Sequence, residues 1–210
     1  MSMTLYGNYV SPYVRRVAIS MNLLGLPFEL FKMMASSEPE KVRARNPMTR
    51  IPTLVDEDGE VLVDSWAILD SLDQLVAPEA RLTPVETAPR RRVMQITAIA
   101  MSVMEKAQAA YYEERFHEEP KRAMAWLERA DGSALAGFEM LDQIAADAGD
   151  GWLAGTPEIS QADVSVAVAF GFAPVVRSKM DLSRFTHLAA FAARCEAIPA
   201  FAACPVPKDD

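Results

Sequence analysis

Pro52 restricts what this chain can fold into more than any other residue. It stands at the mouth of a short β-branched run, Ile51 to Val55, and follows Asn46-Pro-Met-Thr-Arg50. Proline has no N–H to give to a ladder, so it belongs at a strand start and not inside a strand. A second short run, Val61 to Val63, comes after Asp58-Gly59. Asp-Gly supplies the positive φ of a tight primed turn, so the two runs are expected to form a hairpin. If the Ile51–Pro52 bond is cis, the Ile51 N–H and C=O turn outward, where an extended peptide can pair by strand addition. Just downstream, Asp64-Ser65 opens a helical pattern. A carboxylate and a hydroxyl at a helix start can hold a charged ligand end.

The segments around this hairpin alternate in type. Thr4-Leu5-Tyr6 reads as a first strand. Ser11-Pro12 reads as an N-cap with proline at the first helical position. Val14, Val17, Ala18, Met21 and Leu24 repeat at helical spacing until Gly25. Phe28 to Met34 is a second strand beside the first, and Ser37-Glu-Pro-Glu40 is a capping box for a short helix to Arg45. Ile68, Leu69, Leu72, Leu75 and Val76 mark a third helix. The order β-α-β-α-β-β-α is that of an α/β layer of thioredoxin type, placed over residues 1–78.

Ala77 to Pro84 lacks periodicity and reads as a linker. The remainder, 84–210, is expected to be all-α. One helix runs from Pro89 to His117. A second runs from Pro120 to Ala148, with an interruption expected at Asp131-Gly132. Gly151 to Pro157 is a turn-rich bridge, and Ser160-x-x-Asp163 caps the next helix. Val164 to Ala173 is apolar on every side, as in a buried central helix, and Pro174 is expected to end it. A last helix is expected from Leu188 to Ala197.

Half of the 210 residues are hydrophobic, enough for one large domain or two small ones. The net charge is −8, so no basic excess exists to displace counterions and a nucleic-acid partner is not expected. Cys195 and Cys204 form neither a C-x-x-C pair nor a disulfide framework. The first residues lack a basic and an apolar signal region, and no apolar run reaches membrane-spanning length. A cytoplasmic protein with no membrane partner is the expectation. His117 and His187 lack metal-ligand spacing, so no metal is expected.

Taken in order, Ile51-Pro52, Asp64-Ser65, Trp152-Leu-Ala-Gly155, Ser160-x-x-Asp163 and the closing Leu188 to Phe201 resemble the glutathione transferase superfamily. The likeness covers nearly the whole chain and is closest to bacterial, serine-type members of the zeta and theta kind. It implies the glutathione transferase fold: a thioredoxin-like, glutathione-binding N-terminal domain and an all-α C-terminal domain with a hydrophobic acceptor site. By the resemblance, the Ile51 backbone beside Pro52 pairs with the cysteinyl unit of glutathione. Asp64 and Ser65 hold the γ-glutamyl end, and Arg50 contacts the glycyl carboxylate. Many members carry Glu or Gln where the shorter Asp64 stands.

Ser11-Pro-Tyr-Val-Arg-Arg-Val17 resembles the turn that carries the active hydroxyl of serine-type members. A free thiol has a pKa of about 8.5. Lowering it by about two units takes roughly 2.7 kcal/mol of preferential thiolate stabilisation. An N-cap oxygen accepts a backbone N–H, which leaves the Ser11 O–H free to donate to a sulfur beside a helix N-terminus. Tyr6, near the tyrosine-type position, and Tyr9 are the competing activators. Met101, Met104, Gln108, Tyr111 and Tyr112 share one face of the first long helix and read either as the acceptor site or as core packing. The implied activity is attack of the glutathione thiolate on a small hydrophobic electrophile by a homodimer, with glutathione as co-substrate. A glutathione-dependent isomerase shares these features. An alternative of another class is a non-catalytic interaction protein that retains the fold.

Overall fold

The structure is a computed structural model that describes residues 3–207. The outer ends of both expected domains, Met1-Ser2 and Lys208 to Asp210, lie outside the described residues. The chain forms two compact units, one running to Val85 and resuming at Ala197, the other Glu86–Glu196.

The first unit opens with β1 (Met3–Gly7), α1 (Pro12–Leu23), β2 (Phe28–Lys32), α2 (Pro39–Arg43), β3 (Thr53–Val55), β4 (Val61–Val63) and α3 (Ser65–Gln74). This is the expected thioredoxin-like order. The sheet runs β2-β1-β3-β4, with β1 parallel to β2 and antiparallel to β3. Side chains alternate along β1: Met3, Leu5 and Gly7 are buried, while Tyr6 lies half-buried on the other face. At Gly7, φ is +145° and an added Cβ would stand 2.4 Å from Val14 Cγ2. Glycine there lets α1 close onto the sheet.

Two local details differ from the sequence reading. The β3–β4 loop is not a two-residue primed turn, because within it only Gly59 has positive φ. The Asp56 N–H donates to the Glu60 carbonyl at 3.0 Å, and the Asp56 carboxylate accepts the Asp58 and Glu60 N–H groups. The side chain at the loop's base therefore sets a longer turn. Ser37 does not cap α2; the cap position is Glu38, whose carboxylate accepts from Met34 N–H and pairs with Lys41. Pro39 at the first helical position fixes that start.

The second unit holds α4 (Thr87–Phe116), α5 (Met124–Ala148), α6 (Gln161–Val176) and α7 (Thr186–Glu196). The helix α6 is its core: every residue from Gln161 to Ala169 is buried. Pro174 does not end α6. It lies inside the last turn, where it leaves the Phe170 carbonyl without its intrahelical donor, yet the helix continues and Arg177 N–H to Ala173 C=O closes it at 2.8 Å. Nor does Asp131-Gly132 break α5. Asp131 turns its carboxylate to Arg177, which also pairs with Glu114. At the head of α6, Asp163 Oδ2 accepts Ser160 N–H at 2.8 Å and Ser160 O–H at 2.6 Å, while Oδ1 accepts Leu153 N–H at 2.8 Å. Burial raises this carboxyl's pKa against the pull of those donors. Among the described residues, no helix is long and apolar enough to cross a membrane.

The last helix, α8 (Pro199–Ala202), is one that the sequence reading did not separate. It packs on α1 and belongs to the first unit. Phe201 is fully buried there. Arg15 Nε donates to the Cys204 carbonyl at 2.8 Å, and Asn22 Nδ2 donates to the Ala200 carbonyl at 3.2 Å. The apolar anchor and two polar clasps on α1 outweigh sequence proximity to α7.

Candidate functional site

A small cleft in the first unit is lined by Tyr13, Asn46, Met48, Arg50, Ile51, Pro52 and Asp64. Buried Asn46 shapes its loop. The Asn46 Nδ2 donates to the Arg50 carbonyl at 3.0 Å, and its Oδ1 accepts Met48 N–H at 3.0 Å. Thr49 takes a positive φ of 56° within this loop. The Ile51–Pro52 peptide is cis. Ile51 lies just ahead of β3, whose pairing with β1 begins at Thr53. Among the described residues, the Ile51 N–H and C=O have no hydrogen-bond partner in the protein. An edge of this kind can take an extended peptide.

Across the cleft, Asp64 caps α3 with a φ of 58°, and its Oδ1 accepts Trp66 N–H at 3.1 Å. Ser65 is buried, and its Oγ accepts from Arg16 Nη1 at 3.3 Å. Arg16 itself is fully buried within α1, with its guanidinium 5.0 Å from the centre of the Trp66 ring. Burial pulls its pKa down to about 9, against the opposing field of Asp64.

Asn8 builds the turn that delivers Ser11. Its Oδ1 accepts Val10 and Ser11 N–H, and its Nδ2 donates to the Met33 carbonyl at 3.1 Å. Half-buried Ser11 caps α1, its Oγ accepting Val14 N–H at 3.4 Å. That bond engages the oxygen and leaves the O–H available to an outside acceptor. Tyr6 lies on the other face of β1, its ring 5.2 Å from Phe31 and 5.3 Å from the Arg45 guanidinium. Tyr9 is engaged elsewhere: burial, then the charge of the Cys204 thiolate and the hydrogen bond with that thiol, drive its ionisation upward. Cys195 is also a buried thiol, pushed up to about 12 by burial and by Asp163.

The structure thus brings Arg50, Ile51, Pro52 and Asp64 to one cleft, with Ser65 buried at the start of α3. The basic residues of the first unit differ in placement. Arg15 and Arg16 are buried, whereas Lys41 and Arg43 pair with Glu38 and Glu40 at the surface. In the second unit, Met104 is fully buried in the core, the bland alternative for that residue. Met101, Gln108 and Tyr111 are half-buried, and Tyr112 is exposed. Gln108 Nε2 donates to Tyr112 Oη at 3.0 Å, and the Tyr112 ring lies between Tyr111 and Phe116 at 5.9 and 5.5 Å. Sequence reasoning missed Asn8, Asn46 and Tyr13. Their signals were an Asn ahead of the Ser-Pro cap, an Asn before Pro47, and a tyrosine within the first turn of α1. Among the described residues, no group of three His, Cys, Asp or Glu is arranged to hold a metal ion.

Residues 5–80 match the family model described as glutathione S-transferase, N-terminal domain. The uncharacterized GST-like protein YibF of Escherichia coli K12 is 32% identical over 103 residues, 49% of this chain and 50% of that one. The chain thus spans half the length of that relative. A maleylacetoacetate isomerase of Pseudomonas aeruginosa PAO1 is 27% identical over 146 residues, 66% of this chain and 69% of that one. The crystal structure of a glutathione S-transferase from Methylobacillus flagellatus KT, with GSH bound, is 27% identical and superposes with a TM-score of 0.88. That likeness covers 98% of this chain and 100% of the other.

Proposed function

We propose a function from one premise, that the chain belongs to the glutathione S-transferase superfamily. It is an enzyme that binds glutathione in the first unit and joins its thiolate to a small hydrophobic electrophile. The observation that carries this reading is the cleft in which Ile51 offers an unpaired backbone edge between Arg50 and Asp64. An extended tripeptide with a charge at each end matches that arrangement. The cysteinyl backbone pairs with Ile51 beside Pro52, and Arg50 takes the glycyl carboxylate. The second oxygen of Asp64 takes the γ-glutamyl ammonium; the Ser65 hydroxyl and the N-terminus of α3 take its carboxylate.

Ser11 then acts on the sulfur without forming a bond to it. Its O–H donates to the thiolate, and the positive end of α1 adds to the same field. On this reading Met101, Gln108, Tyr111 and Tyr112 meet the electrophile, with Met104 packed behind them. The working protein is a cytoplasmic homodimer. A glutathione-dependent isomerisation, in which the thiol adds and later leaves, is the second reading; the likeness to the Pseudomonas aeruginosa isomerase favours it.

The test is titration of glutathione into wild type and Ser11→Ala, following far-ultraviolet thiolate absorbance against pH. Wild type is expected to bind and to lower the thiol pKa by about two units, and the variant to bind but lose most of that shift. A variant that keeps the shift removes Ser11 as activator. Wild type that binds no glutathione overturns the whole reading.

A further inference from the structure

We propose that Arg16 is a positioning residue for the anion end of this site: its buried guanidinium aims the Ser65 hydroxyl outward and holds a positive charge behind it. The proposal rests on the glutathione reading above and names a residue that reading does not use.

Arg16 lies within α1 and is fully buried. A guanidinium withdrawn from water carries a large desolvation cost, so its placement needs a return. Its Nη1 donates to Ser65 Oγ at 3.3 Å. A serine hydroxyl has one hydrogen and two lone pairs. With an Arg16 N–H on the oxygen, the Ser65 hydrogen is directed away from Arg16. Ser65 is also the first residue of α3, where backbone N–H groups and the helix dipole favour an anion. The Trp66 ring beside the guanidinium restrains its plane, which a lysine ammonium would not match. Asp64 is close enough to favour the charged form of Arg16, and its remaining oxygen suits an ammonium. The pair Asp64-Ser65 thus presents an acceptor next to a polarised donor, the pattern of an amino-acid zwitterion. Arg16 supplies the second half of that pattern without touching the ligand.

The experiment compares glutathione with 4-aminobutyryl-cysteinyl-glycine, which lacks only the γ-glutamyl α-carboxylate, by calorimetry. Wild type is expected to prefer glutathione. Arg16→Gln and Ser65→Ala are each expected to lose about ten-fold or more in glutathione affinity while changing affinity for the analogue by less than about two-fold. Arg16→Lys, which keeps the charge but not the fork, recovers part of the loss. If Arg16 only clamps α1 to α3, its variants weaken both ligands alike, and the proposal is overturned. Should Arg16 variants not fold, NMR of the slowly exchanging buried guanidinium in wild type decides. A shift with glutathione but not with the analogue supports the role; equal shifts, or none, overturn it. Wild type that binds both ligands equally overturns this proposal alone, whereas wild type that binds neither overturns the glutathione reading with it.

Discussion

Replacing Asp163 by Asn keeps the side chain's volume but removes a charge and one acceptor. The Leu153 N–H at 2.8 Å can stay on the amide oxygen. The Ser160 N–H, at 2.8 Å, is left facing an NH2 group in a buried setting. Stranding a buried donor costs about 1–3 kcal/mol. The Ser160 hydroxyl, at 2.6 Å, can rotate to accept from the new amide, but the bond falls from charge-assisted to neutral, a further loss of about 1 kcal/mol. The sum is about 2–4 kcal/mol. Burial raises the Asp163 pKa in the folded state. A raised acid pKa means the folded chain holds that proton more tightly, so this contribution to stability is complete below the unfolded value of 3.8 and is lost as pH rises through the folded one. The wild-type advantage over Asp163→Asn is therefore expected to be larger near pH 4 than at pH 7. Urea unfolding of both proteins at the two pH values measures it. An Asn variant as stable as wild type, or an advantage that grows with pH, would refute the reasoning.

Two more substitutions bear on the helical unit. Gly137→Ala puts a Cβ 2.4 Å from Val103 Cγ2, so thermal unfolding should show a loss of about 1–3 kcal/mol that Val103→Ala in the same chain largely restores. Arg177→Met leaves Asp131 and Glu114 facing each other without their cation; both are partly solvated, which reduces the expected loss in urea to about 2 kcal/mol, and Asp131→Asn should recover part of it.

The sequence marked the parts of the fold that local chemistry decides. Pro52 could stand only at a strand mouth, Ser11-Pro12 could only begin a helix, and the unbroken apolar run in α6 could only be buried. The details it hid are those decided by a partner far along the chain. Gly132, where a break in α5 is expected from the sequence, is helical because nothing at that position requires a turn and Asp131 has Arg177 to hold. The separate identity of α8 depends on clasps from Arg15 and Asn22, about which a Pro-Ala-Phe triplet says nothing. The candidate site follows the same division. Ile51, Asp64 and Ser65 stand out by their motif, whereas Arg16 looks from its spacing like one of several surface cations until its burial against Ser65 and Trp66 is seen.

The return of α8 to α1 bears on how the protein is made. The strands and first three helices leave the ribosome early, yet the face of α1 that Phe201 seals stays uncovered until residues 197–204 have been synthesised. All of Glu86–Glu196 must be translated in between, which at roughly 5–20 residues per second is a wait on the order of ten seconds. The unit whose strands are translated first is thus completed after the unit that interrupts it.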